Sequence, residues 1–285
     1  MLAFHPLTQT SIETIHPAFI DAFSAYEVPM ELPLERLQSM MYIRNYVTEL
    51  SLGCFVDEQL VGFVLVGARR DRNGILRTYD VATGVVRAFQ NQKIGSQLLT
   101  HLIPMLTRAG AASFQLEVLE HNVAAQKLYT RHGFTQTRKF HCYQSTSMPT
   151  ATEVVWATWG TDPTLLATVA EATYVSFVPS WQYALASYQR TATTCHVITA
   201  HDGANLVAYG IIEGASIMQI GILPAYRTPE LLTGVLARLA HASAQTHLRI
   251  INVEAACWLD LQLVGMGWEH MISQYEMVKL FTTPH

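Results

Sequence analysis

The chain has 285 residues, half of them hydrophobic and 14% charged, with a formal net charge of −4 when histidine is neutral. This balance excludes a disordered chain and supplies enough apolar side chains for two domain cores. It lacks the basic excess of a nucleic-acid binder, so nucleic acid is not expected as a partner.

Residues 2–7 alternate weakly and predict an opening strand. Ile12, Ile15, Phe19, Ile20 and Phe23 fall on one helical face, and Leu34, Leu37, Met40 and Met41 mark a second helix with Pro33 at its first turn. Strands over 52–56 and 60–67 follow, joined by the turn Asp57-Glu58-Gln59. Asn73-Gly74 signals another hairpin and starts a long strand over 75–86. A helix is expected over 94–109 with Ile94, Leu98, Leu102, Met105 and Leu106 inward. A strand over 113–119, a helix over 122–132 and a strand over 134–144 complete the first half.

Residues 145–152 lack periodicity and read as a linker, dividing the chain into domains 1–146 and 147–285. The plan then repeats: a strand over 154–159, and two helices marked by Leu165, Val169, Thr173 and by Trp181, Leu185, Tyr188. A hairpin around Asp202-Gly203 and a strand over 216–223 come next, then a helix over 231–244, a strand over 248–253, a short helix over 260–266 and a last strand over 268–280. Val86-Arg87-Ala88-Phe89-Gln90 answers Leu223-Pro224-Ala225-Tyr226-Arg227, and Gly133-Phe134 answers Gly267-Trp268. Matches at a nearly constant offset favour a duplication over two unrelated α/β domains.

The four cysteines, Cys54, Cys142, Cys195 and Cys257, form no C-x-x-C pair, so neither a disulfide framework nor a structural zinc site is expected. The twelve histidines show no ligand spacing, and no metal is expected. No leader-like segment opens the chain and no apolar run approaches about 18 residues, so the expectation is a cytoplasmic protein with no membrane partner.

Residues 84–134 carry the chemistry. An apolar strand runs into the polar turn Gln90-Asn91-Gln92-Lys93-Ile94-Gly95-Ser96, which opens a helix. Unpaired N–H groups and the positive end of the dipole at such a turn suit a phosphate. Asn122 is a good N-cap for the next helix, and Tyr129 lies seven residues on, about two turns, on the same face. Taken alone, Tyr129 reads as a core aromatic, and its place between Asn122 and Gly133-Phe134 is what favours a proton donor.

The order and spacing of these elements resemble the GNAT superfamily of acetyl-CoA-dependent N-acetyltransferases. The resemblance implies an α/β (α+β) fold of two tandem GNAT-like domains. Each would have a mixed, mostly antiparallel central sheet with flanking helices, splayed between its fourth and fifth strands into a cofactor cleft. It implies that Val85, Val86 and Arg87 pair with the pantetheine arm of acetyl-CoA, with the amide of Val85 or Val86 polarising the acetyl carbonyl, and that Gly84 marks a bulge. It places the pyrophosphate on 90–96, with Lys93 where the family has glycine, and brings Asn122 and Ala125 to the cofactor arm. Tyr129 would protonate the leaving thiolate.

Asp80 is the first choice of base, with a structural carboxylate as its alternative. Tyr26, Glu27, Met30, Glu31, Tyr79 and Glu117 would shape an acceptor pocket whose carboxylates favour a cationic amine. The expected activity is transfer of acetyl from acetyl-CoA to a primary amine of a small molecule or peptide, by direct attack in a ternary complex. The alternative is a non-catalytic protein that binds CoA or another small ligand.

The matching turn of the second half has no glycine, carries Pro229 and Glu230 at the helix start, and has Leu263 where Tyr129 would stand. A degenerate domain without cofactor is expected there. Its open roles are buttressing the first domain, covering the acceptor site or building a homodimer.

Overall fold

The computed structural model describes residues 1–24, 32–147, 153–190 and 194–281. The chain forms two compact units: Met1–Thr137 with Tyr275–His285, and Arg138–Gln274. The sequence places the division at 146/147, whereas the units divide at 137/138 and the chain returns to the first unit at its end.

In the first unit, strands β1 (Ala3–Pro6), β2 (Leu52–Val56), β3 (Gln59–Arg70) and β4 (Leu76–Val85) pair antiparallel in that order. Strand β5 (Ala111–Leu119) joins β4 in parallel. The β2–β3 turn is tighter than expected: β3 starts at Gln59, and Asp57 and Glu58 take φ of +46° and +66°, as a two-residue hairpin with the twist of its strands demands.

Strand β3 is buried along nearly its whole length, so its apolar run faces cover on both sides. On one side it meets helix α3 (Ile94–Arg108): a Cβ at Gly62 would lie 2.9 Å from Ile94 and 3.3 Å from Leu98. On the other it meets α1 (Ile12–Phe23), where Phe63 stacks on Phe19 at 6.0 Å between ring centroids. Full burial of each such side chain stabilises the fold by about 2–3 kcal/mol. Helix α2 (Leu34–Ile43) starts after Pro33, which stands at the N-cap.

Helix α4 (Val123–Arg131) follows β5, and its Tyr129 packs edge-on against Phe134. Strand β6 (Thr135–Gln144) begins in the first unit and continues in the second. The last strand, β12 (Glu269–Leu280), does the reverse, and its end supplies Met277 to the first core.

In the second unit, β7 (Thr158–Gly160), β8 (His196–Asp202), β9 (Asn205–Glu213) and β10 (Ser216–Ile222) pair antiparallel. Strand β11 (Arg249–Glu254) pairs in parallel with β10 and antiparallel with β6. Helices α7 (Pro229–Ala242) and α8 (Trp258–Gly265) fall where expected.

Two expectations fail here. The strand over 154–159 shrinks to Thr158–Gly160, with Val155 and Trp156 in a turn. The two helices over 165–188 shrink to the four-residue α5 (Glu171–Tyr174) and α6 (Leu185–Tyr188). Pro179 disfavours helix at Val178, and the bulky side chains between them are drawn into tertiary contacts.

Candidate active site

The ladder between β4 and β5 runs only from Leu76↔Ala111 to Tyr79↔Gln115. Beyond it β4 stays paired with β3 as far as Val85↔Gly62, so β4 keeps a strand edge that β5 has left. The break coincides with a bulge: Val66 pairs with Asp80 and Leu65 with Ala82, which makes Val81 the extra residue. The bulge is therefore at Val81 and not at Gly84. Gly84 answers a packing demand, since a Cβ there would lie 2.5 Å from the Phe63 ring and 3.0 Å from Ala22.

The bulge turns Asp80 inward, where it meets α4. The Tyr129 hydroxyl donates to Asp80 Oδ2 at 3.1 Å, and the Thr83 hydroxyl donates to the same oxygen at 2.6 Å. Asp80 Oδ1 is buried without a hydrogen-bond partner. Burial pushes the Asp80 carboxyl up to about 6, against the pull of Thr83, Tyr129 and the Arg44 guanidinium. Beside it the Tyr79 hydroxyl donates to Glu117 Oε2. Burial and the Glu117 charge raise the Tyr79 phenol far above its ordinary range. A buried carboxylate poised near neutrality, touching a phenol at the mouth of a strand splay, can take up and pass on a proton.

The turn after β4 leads into α3 with no side-chain cap and no acidic residue in the first turn. The first intrahelical acceptor is Lys93, whose carbonyl takes the Gln97 N–H at 3.0 Å, so the N–H groups of Ile94, Gly95 and Ser96 precede the ladder. Lys93 stands at φ 60° and ψ 17°, and Asn91 at φ 63°. Lys93 thus adopts the left-handed conformation that glycine adopts freely, at a cost of about 1 kcal/mol. Lys93→Gly is expected to stabilise the first unit by about that amount. An unchanged midpoint in urea unfolding would contradict it.

Not every expected contact is available. The Val86 N–H donates to Val61 O at 2.9 Å, and its carbonyl accepts from Phe89. The Arg87 N–H donates to Asp21 Oδ2 at 2.6 Å. The amides of Val86 and Arg87 are thus committed within the chain, and neither offers a bond to a cofactor arm. Because antiparallel pairs alternate, Val85 turns its backbone toward the side that β5 has left. Its carbonyl there accepts from Gln90 Nε2 at 3.0 Å. Gln92 reaches back to Ala88 O at 3.3 Å. Asn122 caps α4 through the Ala125 N–H at 3.0 Å, which ties the expected pair into the helix start.

Tyr26, Glu27, Met30 and Glu31 lie outside the described residues. Thr83 and Arg44 were invisible as site residues, because neither belongs to a local motif. Among the described residues no group of three or more His, Cys, Asp or Glu is placed to hold a metal, and no helix is long and apolar enough to cross a membrane.

The second unit repeats the splay. Strand β10 pairs with β11 only at Ser216 and Ile217, and Met218 is the extra residue of a bulge against β9. Met218 stands to Val81 as Leu223 stands to Val86, and Arg227 bonds Ile222 O as Gln90 bonds Val85 O. Trp268 N–H to Leu263 O likewise mirrors Phe134 N–H to Tyr129 O.

The chemistry differs. The counterparts of Asp80 and Tyr129 are Ile217 and Leu263, both buried in the apolar core. The α7 N-terminus is capped by its own Thr228, which accepts from the Leu231 N–H at 3.2 Å. The strand edge beyond Met218 is met from within. Tyr183 OH accepts the Ile220 N–H at 3.0 Å, and Gln219 Nε2 donates to Tyr183 O at 2.6 Å and to Glu171 Oε1.

Residues 13–134 match the model of the "Acetyltransferase (GNAT) family". No curated protein sequence matches the chain. Among solved structures, the fold is shared with a GCN5-related N-acetyltransferase from Sphaerobacter thermophilus, with a TM-score of 0.71 at 13% identity over 98% of this chain and 95% of that one. It is shared with a tandem GNAT protein from the clavulanic acid biosynthesis pathway, with a TM-score of 0.69 at 12% identity over 98% of both chains. A protein from Pyrococcus horikoshii described as a putative acetyltransferase gives 0.68 at 14% identity over 99% of this chain and 90% of that one. Residues 13–134 thus match the GNAT acetyltransferase family model, and the chain shares its fold along nearly its whole length with a tandem GNAT protein.

Proposed function

We propose that the first unit transfers acetyl from acetyl-CoA to a primary amine of a small molecule or peptide, by direct attack within a ternary complex. The observation that carries this reading is the Tyr129–Asp80 hydrogen bond at the point where β4 leaves β5. Bound acetyl-CoA would supply an activated acyl group on a thiol. The N–H groups of Ile94, Gly95 and Ser96 suit its pyrophosphate, and the backbone of Val85 suits its pantetheine arm, with the Val85 N–H directed at the acyl carbonyl.

An amine that arrives as a cation first gives one proton to solvent, and Asp80 then accepts the proton that the neutral amine sheds as the new N–C bond forms. Tyr129 gives its proton to sulfur as the C–S bond breaks. Asp80 then returns its proton to Tyr129 across their shared hydrogen bond, and the pair is restored with one proton moved from nitrogen to sulfur. The Glu117 carboxylate, which accepts from the neutral Tyr79 hydroxyl, presents negative charge on the same splay, which favours an acceptor that arrives as a cation. The second unit serves without cofactor, since its helix start is capped by Thr228 and its strand edge is taken by Tyr183.

The test is titration calorimetry with acetyl-CoA, followed by an amine screen with wild type and Tyr129→Phe. One site per chain is expected. Tyr129→Phe should keep cofactor affinity and lose about 100-fold or more in kcat. In wild type the acidic limb of kcat/KM should fall near pH 6, where Asp80 loses its charge. Binding with no turnover on any amine would favour the non-catalytic reading, and two sites per chain would refute the reading of the second unit.

A further inference from the structure

We propose that Arg44 is a positioning residue of this site, whose guanidinium holds the carbonyl of Val81 and thereby fixes the bulge from which Asp80 projects. A bulge leaves its extra residue without a ladder partner. Val81 is buried, so an unbonded carbonyl there would cost free energy and favour a slip back into regular pairing. Arg44 Nη1 supplies the missing bond at 2.9 Å.

The chain goes to some length to deliver it. Arg44 is the C-cap of α2 and is followed by Asn45 at φ 59°. The backbone then lies along β3, with the Val47 N–H on Val66 O at 2.8 Å and the Ala68 N–H on Asn45 O at 3.0 Å. Residue 67 can only be glycine on this path, because a Cβ would lie 2.2 Å from the Arg44 carbonyl oxygen. The backbone around Arg44 is thus anchored to β3, on whose other edge the β4 bulge lies.

Charge follows from the same placement. Asp80 is faced by the Thr83 hydroxyl on its own strand, by the Tyr129 hydroxyl from α4 and by Arg44 from the end of α2, with Tyr79 and the Glu117 carboxylate of β5 adjoining. Arg44 is the cation that bears on both Asp80 and Tyr79. It offsets part of the burial that opposes Asp80 ionisation, so its removal raises the Asp80 titration further. Lysine would keep the charge but not the planar fork that grips a carbonyl and leaves further donors.

Arg44→Gln and Arg44→Lys test this. The kinetic arm rests on the acyl-transfer reading, and an NMR titration of the Asp80 carboxyl does not. In Arg44→Gln the Asp80 midpoint should rise by about one pH unit, and kcat/KM should fall roughly fivefold at pH 6 with the deficit narrowing toward pH 9. Arg44→Lys should restore most of the titration shift. A merely structural role would instead lower activity by the same factor at every pH.

The proposal is overturned if the Asp80 titration in folded Arg44→Gln coincides with wild type. If Arg44→Gln does not fold, an Asp80 titration in Arg44→Lys that matches the unfolded-peptide value overturns it equally. A shifted titration in a protein whose wild type acetylates no amine would remove the acyl-transfer reading and leave the bearing of Arg44 on Asp80 standing.

Discussion

Asp80→Asn is expected to lower turnover by about 100-fold or more while making the protein more stable at neutral pH. The activity follows from the loss of the carboxylate that accepts from the Tyr129 hydroxyl and can take up a proton. General acid–base partners are typically worth about 100- to 10,000-fold. The stability follows from the sign of the Asp80 shift. Burial raises its folded titration from the ordinary carboxylate range to about 6, so the folded state prefers the neutral acid. Its stabilising contribution is complete below the unfolded titration near 4 and is lost as pH rises through about 6. At pH 7 the buried charge therefore costs about 3 kcal/mol relative to a neutral isostere, an order-of-magnitude figure. Asparagine keeps an acceptor for Thr83 and Tyr129 and carries no charge. Urea unfolding at pH 7 and pH 4 checks the sign: the gain should be present at pH 7 and shrink toward pH 4. A variant less stable than wild type at pH 7 would mean that Asp80 is an ordinary structural carboxylate.

Gly67→Ala is expected to destabilise the first unit by about 3 kcal/mol, because the new methyl group meets backbone and not the movable end of a side chain. The Arg44 carbonyl oxygen would stand 2.2 Å from it and Val81 Cγ2 3.3 Å. Relief requires moving the segment after α2 off β3, which gives up the Val47–Val66 and Ala68–Asn45 bonds. The midpoint of thermal unfolding should drop by roughly 10 °C. Gly265→Ala serves as the control, since nothing lies within 4 Å of a Cβ there and the residue is helical. If both variants melt with wild type, the close crossing of Arg44 over β3 is wrong.

Much of the site is legible in the sequence because it is built from local patterns. A strand, a polar turn and a helix follow one another over 84–108, and Tyr129 sits four residues before a glycine that ends its helix. Such features depend on residues a few positions apart, which periodicity and turn chemistry report. The features that set the second copy apart are equally local: Thr228 caps its helix start, Pro229 and Glu230 follow, and Leu263 stands where Tyr129 stands in the first.

What periodicity cannot report is who answers whom across the fold. Nothing in residues 80–86 says that the bulge falls at Val81, since a bulge is a mismatch with another strand. Val86 and Gly84 look alike as strand residues, yet one is spent on Val61 and the other gives way to Phe63. Arg44 lies 36 residues before Asp80 and shares no motif with it. Tyr183, read as part of a helical stretch, leaves helix to meet Ile220, because a buried strand edge must be satisfied. Strands β6 and β12 have ordinary strand patterns, and alternation alone does not tell a strand which unit it belongs to. Local patterns in the chain carry the order of most elements, the repeat of the plan and the residue types proposed for the site. The tertiary structure decided which of them meet, because bulges, strand partners and buried charges are settled by contacts far apart in the chain.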